Sequence, residues 1–295
     1  MTIKQKAYLA LSATSVIWGT TWVASKIAVE HVPGLQVSAI RQLIAGLMYI
    51  VFFKIKGEPW PTFQQFKRLL LLAFFMLIIA NGFASWSIAF ISSGLAALIA
   101  TLYPLSVVII EMVFYKAKYN WLTFIGLLTG LLGVGVVFYE NAFHQQTEGY
   151  VFGVVLGIIA MISWSIGNIL VAKEPETLNP YYSMGWQMLI SAPFIFLFAY
   201  STNNVISFEN IPTQTWASIG YLVLFGSCFT FVCFIYSLKH LPPAISSLYA
   251  YINPVIAMIT GGILLNEELT MYIVVGSIVT IFGVYLVNRS LKKAV

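Results

Sequence analysis

The sequence predicts an all-α membrane protein whose ten transmembrane helices form two inverted five-helix repeats. Three observations carry that expectation: extreme apolarity, ten apolar runs of spanning length, and a one-sided distribution of basic residues. Of 295 residues, 60% belong to the apolar and aromatic set and 8% are charged, with a mean hydropathy of +0.89. Soluble domains carry about 25% charged residues, so a water-exposed globular fold is excluded. At roughly 20 residues per span, the length accommodates ten spans and short loops and leaves no room for a separate soluble domain.

Breaks at Pro, Gly and charge clusters leave apolar runs near 7–29, 36–53, 68–90, 94–115, 121–138, 150–172, 181–200, 216–238, 244–265 and 272–288. Lys4 and Lys6 ahead of the first run imitate a signal peptide, but the run continues past Trp18 and Trp22 without a small-residue cleavage site, so it reads as a retained span. Trp60, Trp121 and Trp216 fall near run ends, where interfacial anchors belong. The net charge of +5 is a topology signal rather than a mark of an acidic partner. Every Lys and Arg outside the spans, from Lys4 and Lys6 through Lys54, Lys116 and Lys239 to Lys293, falls on one face; the other holds Glu30, Glu140, Glu148, Glu209, Glu267 and Glu268. The positive-inside rule then makes both termini cytoplasmic, in an inner (plasma) membrane of bacterial type. Cys228 and Cys233 form no CxxC motif and define no redox compartment.

Sliding the chain on itself brings Pro104 onto Pro254, Gly126 onto Gly276 and Gly133 onto Gly283, and, at a slightly different offset, Trp18 onto Trp164. The expected halves are 1–142 and 143–295. Five spans is an odd number, so the second copy is upside down, as in alternating-access carriers whose substrate site lies where the repeats meet.

The stretch Trp18-Gly19-Thr20-Thr21-Trp22-Val23-Ala24-Ser25-Lys26, followed by Pro33 and by Arg41 within Ser38-Ala39-Ile40-Arg41-Gln42, resembles the first EamA repeat of the drug/metabolite transporter superfamily. So does Ser93-Gly94-Leu95 through Tyr103-Pro104; Asn266-Glu267-Glu268-Leu269-Thr270 with Gly276 and Gly283 is similar to the family's glutamate-containing turn and glycine-bearing last helix. Lys116-Ala117-Lys118 departs from the Gly-Glu turn often found there in the first repeat. The resemblance covers nearly the whole chain. It implies ten helices and carriage of small metabolites, often outward and often of amino acids or related compounds.

Charges inside a span cost about 2.5–3.5 kcal/mol on insertion scales and default to functional candidates. Three qualify: Lys26, Arg41 and Glu111. Lys26 and Arg41 sit roughly 10–12 Å in from the outer turn at Pro33, at 1.5 Å per residue. They read either as an electropositive vestibule for a carboxylate or phosphate, or as structural groups, with Lys26 paired to Glu30 and Arg41 bonded to helix-end carbonyls. Glu111 reads as a proton site or as a snorkelling carboxylate paired with Lys116 or Lys118.

Aromatic and amide side chains recur on shared helix faces: Thr14, Trp18, Trp22 and Lys26; Trp164 and Asn168; Ser246, Tyr249, Asn253 and Thr260; Tyr103 beside Pro104; and Asn81 with Ser85. The cavity candidates are therefore Trp18, Trp22, Asn81, Tyr103, Trp164, Asn168, Tyr249 and Asn253, each weighed against plain packing or helix-to-helix bonding. Pro104 and Pro254 are hinge candidates. Gly126, Gly130, Gly133 and Gly135, with Gly276 and Gly283, read as close packing, within one chain or between two copies of a homodimer.

No HExxH, Asp-rich pair or P-loop occurs, so the sequence assigns no metal and no cofactor, and ATP-driven pumping is excluded. The function expected is a secondary, non-enzymatic transporter acting on a small-molecule substrate in a lipid bilayer, without nucleic acid, most simply an exporter of amino acids or related compounds. A carrier of nucleosides, sugars or phosphorylated metabolites, or an intramembrane enzyme, is the alternative.

Overall fold

The computed structural model describes residues 1–116, 118–143, 148–173, 178–241 and 249–293, and every regular element among them is helical. The helical segments are α1 (Ile3–Val29), α2 (Gly34–Ile55), α3 (Phe63–Ser87), α4 (Ser93–Tyr115), α5 (Trp121–Phe143), α6 (Tyr150–Lys173), α7 (Pro180–Ser201), α8 (Thr213–His240), α9 (Tyr249–Leu264) and α10 (Met271–Lys293). Among the described residues seven helices, α2, α3, α4, α6, α7, α8 and α10, are long and apolar enough to cross a membrane, and Trp121–Val137 and Ile252–Leu264 are shorter apolar stretches. Helix α1 has the length, but Thr14, Ser15, Thr20, Thr21 and Ser25 dilute its apolarity. Of the expected stripes, Ser246 lies outside the described residues, as do Ala117 of the Lys116–Lys118 turn and the side chain of Glu140.

Local chemistry sets the helix starts. Thr2 and Gln5 form a capping box on α1, and Thr62 and Gln65 form one on α3, each satisfying two N–H groups that the first turn leaves free. Ser92 caps α4, and Asn179 followed by Pro180 starts α7. The α4 start has a second, distant cap. The Glu267 carboxylate, in the turn between α9 and α10, accepts from Ser93 N (2.8 Å), Ser93 Oγ (2.9 Å) and Gly94 N (3.4 Å), where the positive end of the helix favours an anion.

Two helices are wound loosely in mid-course. Phe74–Ile79 of α3 and Leu222–Phe229 of α8 are π-helical, a geometry that shifts the carbonyl ladder and is frequent at functional sites. In both, a carbonyl accepts a side-chain bond from a neighbouring helix: Ser163 Oγ of α6 donates to Phe75 O (2.7 Å), and Trp18 Nε1 of α1 donates to Gly226 O (3.1 Å).

Helix α1 packs against α8 and α9, α6 against α3 and α4, α2 against α7, and α5 along α10. The glycine stripes explain how closely the last pair approaches. A methyl built on Gly283 would stand 2.2 Å from Gly130 N and 2.7 Å from Gly126 O, and one on Gly133 would stand 2.4 Å from Thr280 N. These glycines are thus used inside one chain, resolving the choice left open by the sequence; Gly135, with nothing within 4 Å, is outside the contact. The outward faces are apolar, for example Leu128 and Leu132 on α5, Leu197 on α7 and Ile263 on α9.

Candidate functional site

Between α1, α2, α3, α4, α6, α8 and α9 lies a cavity of about 190 Å³. Drug-sized pockets run from about 300 to 1,000 Å³, so this one suits a small solute. Its wall includes Trp18, Trp22, Asn81, Tyr103, Trp164, Tyr249 and Asn253, together with Arg41. Helical spacing of four residues puts Trp18 and Trp22 on one face of α1, and Tyr249 and Asn253 on one face of α9.

The aromatic side is tightly braced. Trp18 has Phe231, Phe234 and Tyr249 around it at ring-centroid distances of 5.2, 5.0 and 5.3 Å, and its indole N–H is held by Gly226 O. That leaves a fixed apolar face toward the cavity. The Asn253 amide, with its nitrogen turned to them, donates to Ser15 O (2.8 Å) and Tyr249 O (3.3 Å), which ties α9 to α1. Pro104 and Pro254 lack the N–H that would bond the carbonyls of Ala100 and Ala250, and both alanines line the cavity.

The three charges expected inside the spans separate. Arg41 is 8% exposed, lines the cavity, and donates from Nε to Ser227 Oγ (2.7 Å) in the π-helical part of α8 rather than to helix-end carbonyls. Lys26 is off the cavity wall; its ammonium donates to Ile88 O and Ile91 O, each at 2.9 Å, and so braces the connection between α3 and α4. Glu111 is also off the wall. Its carboxylate accepts from the Tyr119 hydroxyl, a partner from the α4–α5 connection other than the expected Lys116 or Lys118. Tyr119 is pushed above the usual phenol range, by desolvation first and by that bond second. Asn168 departs from its stripe as well, turning back to donate to Trp164 O (2.7 Å).

The wall also holds residues the helical stripes do not single out. Thr21, Ser25 and Ser87 line it, and Ser87 is 1% exposed with its Oγ unpartnered among the described residues. Ala96, Ala97, Ala100, Ala160 and Gly157 supply the space, because their side chains stop short. Among the described residues no group of three or more His, Cys, Asp or Glu is placed to hold a metal ion.

The EamA-like transporter family model matches twice, over residues 5–139 and 151–289. The chain belongs to the EamA-like transporter family. This EamA protein is 28% identical over 284 residues to the uncharacterized inner membrane transporter YedA of Escherichia coli, covering 95% of this chain and 89% of that one. It is 23% identical over 287 residues to the uncharacterized transporter YoaV of Bacillus subtilis, with 95% and 96% covered. A crystal structure of a protein at 15% identity superposes with a TM-score of 0.66, covering 96% and 97% of the two chains, which is a likeness of fold. With its apolar helices, the family identifies an integral membrane protein and a membrane transporter.

Proposed function

We propose that this EamA protein is a secondary, alternating-access carrier that exports amino acids or related small anionic or zwitterionic metabolites and uses no cofactor. The observation that carries the reading is the cavity itself: one buried cation, Arg41, in a small chamber of aromatic and amide side chains. An apolar or neutral body fits against Trp18, Trp22 and Trp164, and a carboxylate finds its counter-charge at Arg41. With Lys26 committed to Ile88 and Ile91, a phosphorylated solute would lack the cations it needs, and a sugar would lack enough amide and acid partners.

The architecture proposed is ten transmembrane helices in two inverted halves, 1–142 and 143–295, with both termini cytoplasmic in an inner membrane of bacterial type. Supporting it, the family model matches once in each half. Exchanging each helix for the one five places on also maps several of the contacts onto one another: α1 with α8 answers α6 with α3, α1 with α9 answers α6 with α4, and α2 with α8 answers α7 with α3. The π-helical segments fall on the equivalent helices α3 and α8. Alternation would then swap which end of α1, α4, α6 and α9 is closed around a central solute.

The test is competition uptake in proteoliposomes with pools of amino acids, nucleosides, sugars and phosphate esters, for the parent, Arg41→Gln and Trp164→Ala. Amino-acid flux that Arg41→Gln abolishes and Trp164→Ala weakens, at unchanged protein incorporation, is the outcome expected. Flux of sugars or phosphate esters without any amino acid defeats the reading.

A further inference from the structure

On α2, Ser38 and Gln42 lie one turn apart with Arg41 between them, and all three meet α3 or the cavity. The carbonyl oxygen of Asn81 on α3 accepts from both flanking side chains, from Ser38 Oγ at 3.0 Å and from Gln42 Nε2 at 2.8 Å. Ser38 is fully buried and Gln42 is 1% exposed, so this pairing is sheltered from water. An amide oxygen has two lone pairs, and both are spent here. The amide plane is thereby set, and its other end, the –NH2, has no hydrogen-bond partner among the described residues while Asn81 lines the cavity. Arg41 is divided likewise: its Nε is spent on Ser227 Oγ, and the residue lines the cavity.

Resting on the carrier reading above, we propose that Arg41 and Asn81 together form a donor-only subsite for the carboxylate of the transported solute, and that Ser38 and Gln42 are positioning residues that hold the Asn81 amide with its N–H groups toward the solute. A carboxylate offers acceptors alone and fits two sets of donors. A carboxamide would turn its own N–H groups against them, and an ammonium group would meet donors and a positive charge. The subsite therefore orients the solute, anionic end to the α2–α3 wall and apolar body to the aromatic wall. It also resolves the two readings of Asn81 left by the sequence, since the oxygen serves helix-to-helix bonding and the nitrogen serves the cavity.

The experiment measures flux of individual radiolabelled amino acids, and of the amide derivatives of those carried, in proteoliposomes holding the parent, Asn81→Leu, Asn81→Asp, Ser38→Ala with Gln42→Leu, Ser38→Thr, and Arg41→Gln. Half-saturation and maximal flux per incorporated protein are read separately. Asn81→Leu is expected to raise the half-saturation concentration about tenfold or more, as loss of a hydrogen bond to a charged group does. Asn81→Asp is expected to do so more strongly, because its second oxygen faces the carboxylate. The Ser38→Ala with Gln42→Leu pair, which touches no solute, is expected to raise half-saturation roughly threefold or more and to relax discrimination against the amides, while Ser38→Thr, which keeps the hydroxyl and leaves Gln42 in place, is expected to keep both at the parent's values. If Arg41→Gln loses amino-acid flux but the Asn81 and Ser38/Gln42 variants keep the parent's half-saturation, the subsite is wrong and the carrier reading stands. Turning both amides over would satisfy Gln42 Oε1, which has no partner among the described residues, and would aim an acceptor at the solute; Asn81→Asp would then bind amides or ammonium-bearing solutes better than the parent, which overturns the donor assignment. If the parent carries no amino acid at all, the carrier reading falls and the subsite with it.

Discussion

Gly283→Ala tests the packing of α5 along α10 at its narrowest point. The added methyl carbon would stand 2.2 Å from Gly130 N, 2.6 Å from Gly130 Cα and 2.7 Å from Gly126 O, all backbone atoms that no rotamer change can move. Ordinary carbon contacts are about 3.5–4.0 Å, so the helices must part by roughly 1 Å or more there. Overpacking of this kind costs about 1–3 kcal/mol, and the upper end applies because the neighbouring close contacts at Gly133, Thr280 and Gly276 open with it. Gly135→Ala, on α5 of the same helix pair, is the control: the same chemical change, and nothing within 4 Å of the new methyl. It should be neutral or slightly stabilising, since Ala is the better helix former. The assay is unfolding of the detergent-solubilised protein, followed by loss of the monodisperse peak after heating. Equal midpoints for Gly283→Ala and Gly135→Ala would refute the intrachain glycine contact.

Lys26→Met removes two charge-assisted bonds to the carbonyls of Ile88 and Ile91; it should lower stability by about 2 kcal/mol or more in the same heating assay and leave the half-saturation of transport near that of the parent, unlike Arg41→Gln. Glu111→Gln should still support accumulation against a gradient in proteoliposomes, because Glu111 is spent on Tyr119 and is off the cavity wall; accumulation lost with exchange intact would make it the proton site. Tyr119 is raised from 10.0 in the folded protein, so its contribution is present below pH 10, the unfolded value, and is lost as pH climbs through the higher folded value; Tyr119→Phe should flatten the alkaline limb of a stability–pH curve. Cysteines replacing Asn203 should react with an impermeant thiol reagent in intact cells and cysteines replacing Lys56 should not, the reverse pattern contradicting the positive-inside orientation.

How far the site was legible depends on what each side chain does with its length. Trp18 with Trp22, and Tyr249 with Asn253, could each be placed on one helix face from four-residue spacing, because a helix face is a local property; that the two faces meet is not. Asn168 obeys the same spacing behind Trp164 and still leaves the cavity, since its amide finds a carbonyl one turn back, a local bond that competes with any tertiary role. Lys26 was legible as a charge inside an apolar run, but its long side chain reaches carbonyls 62 and 65 residues away in sequence, and that destination is set by how α1 meets the α3–α4 connection. The cavity's volume was invisible. It comes from Ala96, Ala97, Ala100, Ala160 and Gly157, residues equally at home wherever helices pack closely. The π-helical turns of α3 and α8 left no sequence mark either, as they answer to tertiary bonds such as Ser163 Oγ to Phe75 O.

If one cavity serves both sides of the membrane in turn, as proposed for this carrier, a single cysteine on its wall is reached from each face in turn. Ala97 lines the cavity on α4 and carries a side chain small enough to be replaced. In a background where Cys228 and Cys233 are replaced, Ala97→Cys in sealed vesicles of known orientation should react with an impermeant thiol reagent added to either face, and amino acid added to one face should lower the rate from that face while raising it from the other. Reaction from one face only, unaltered by any solute, would contradict alternating access through this cavity.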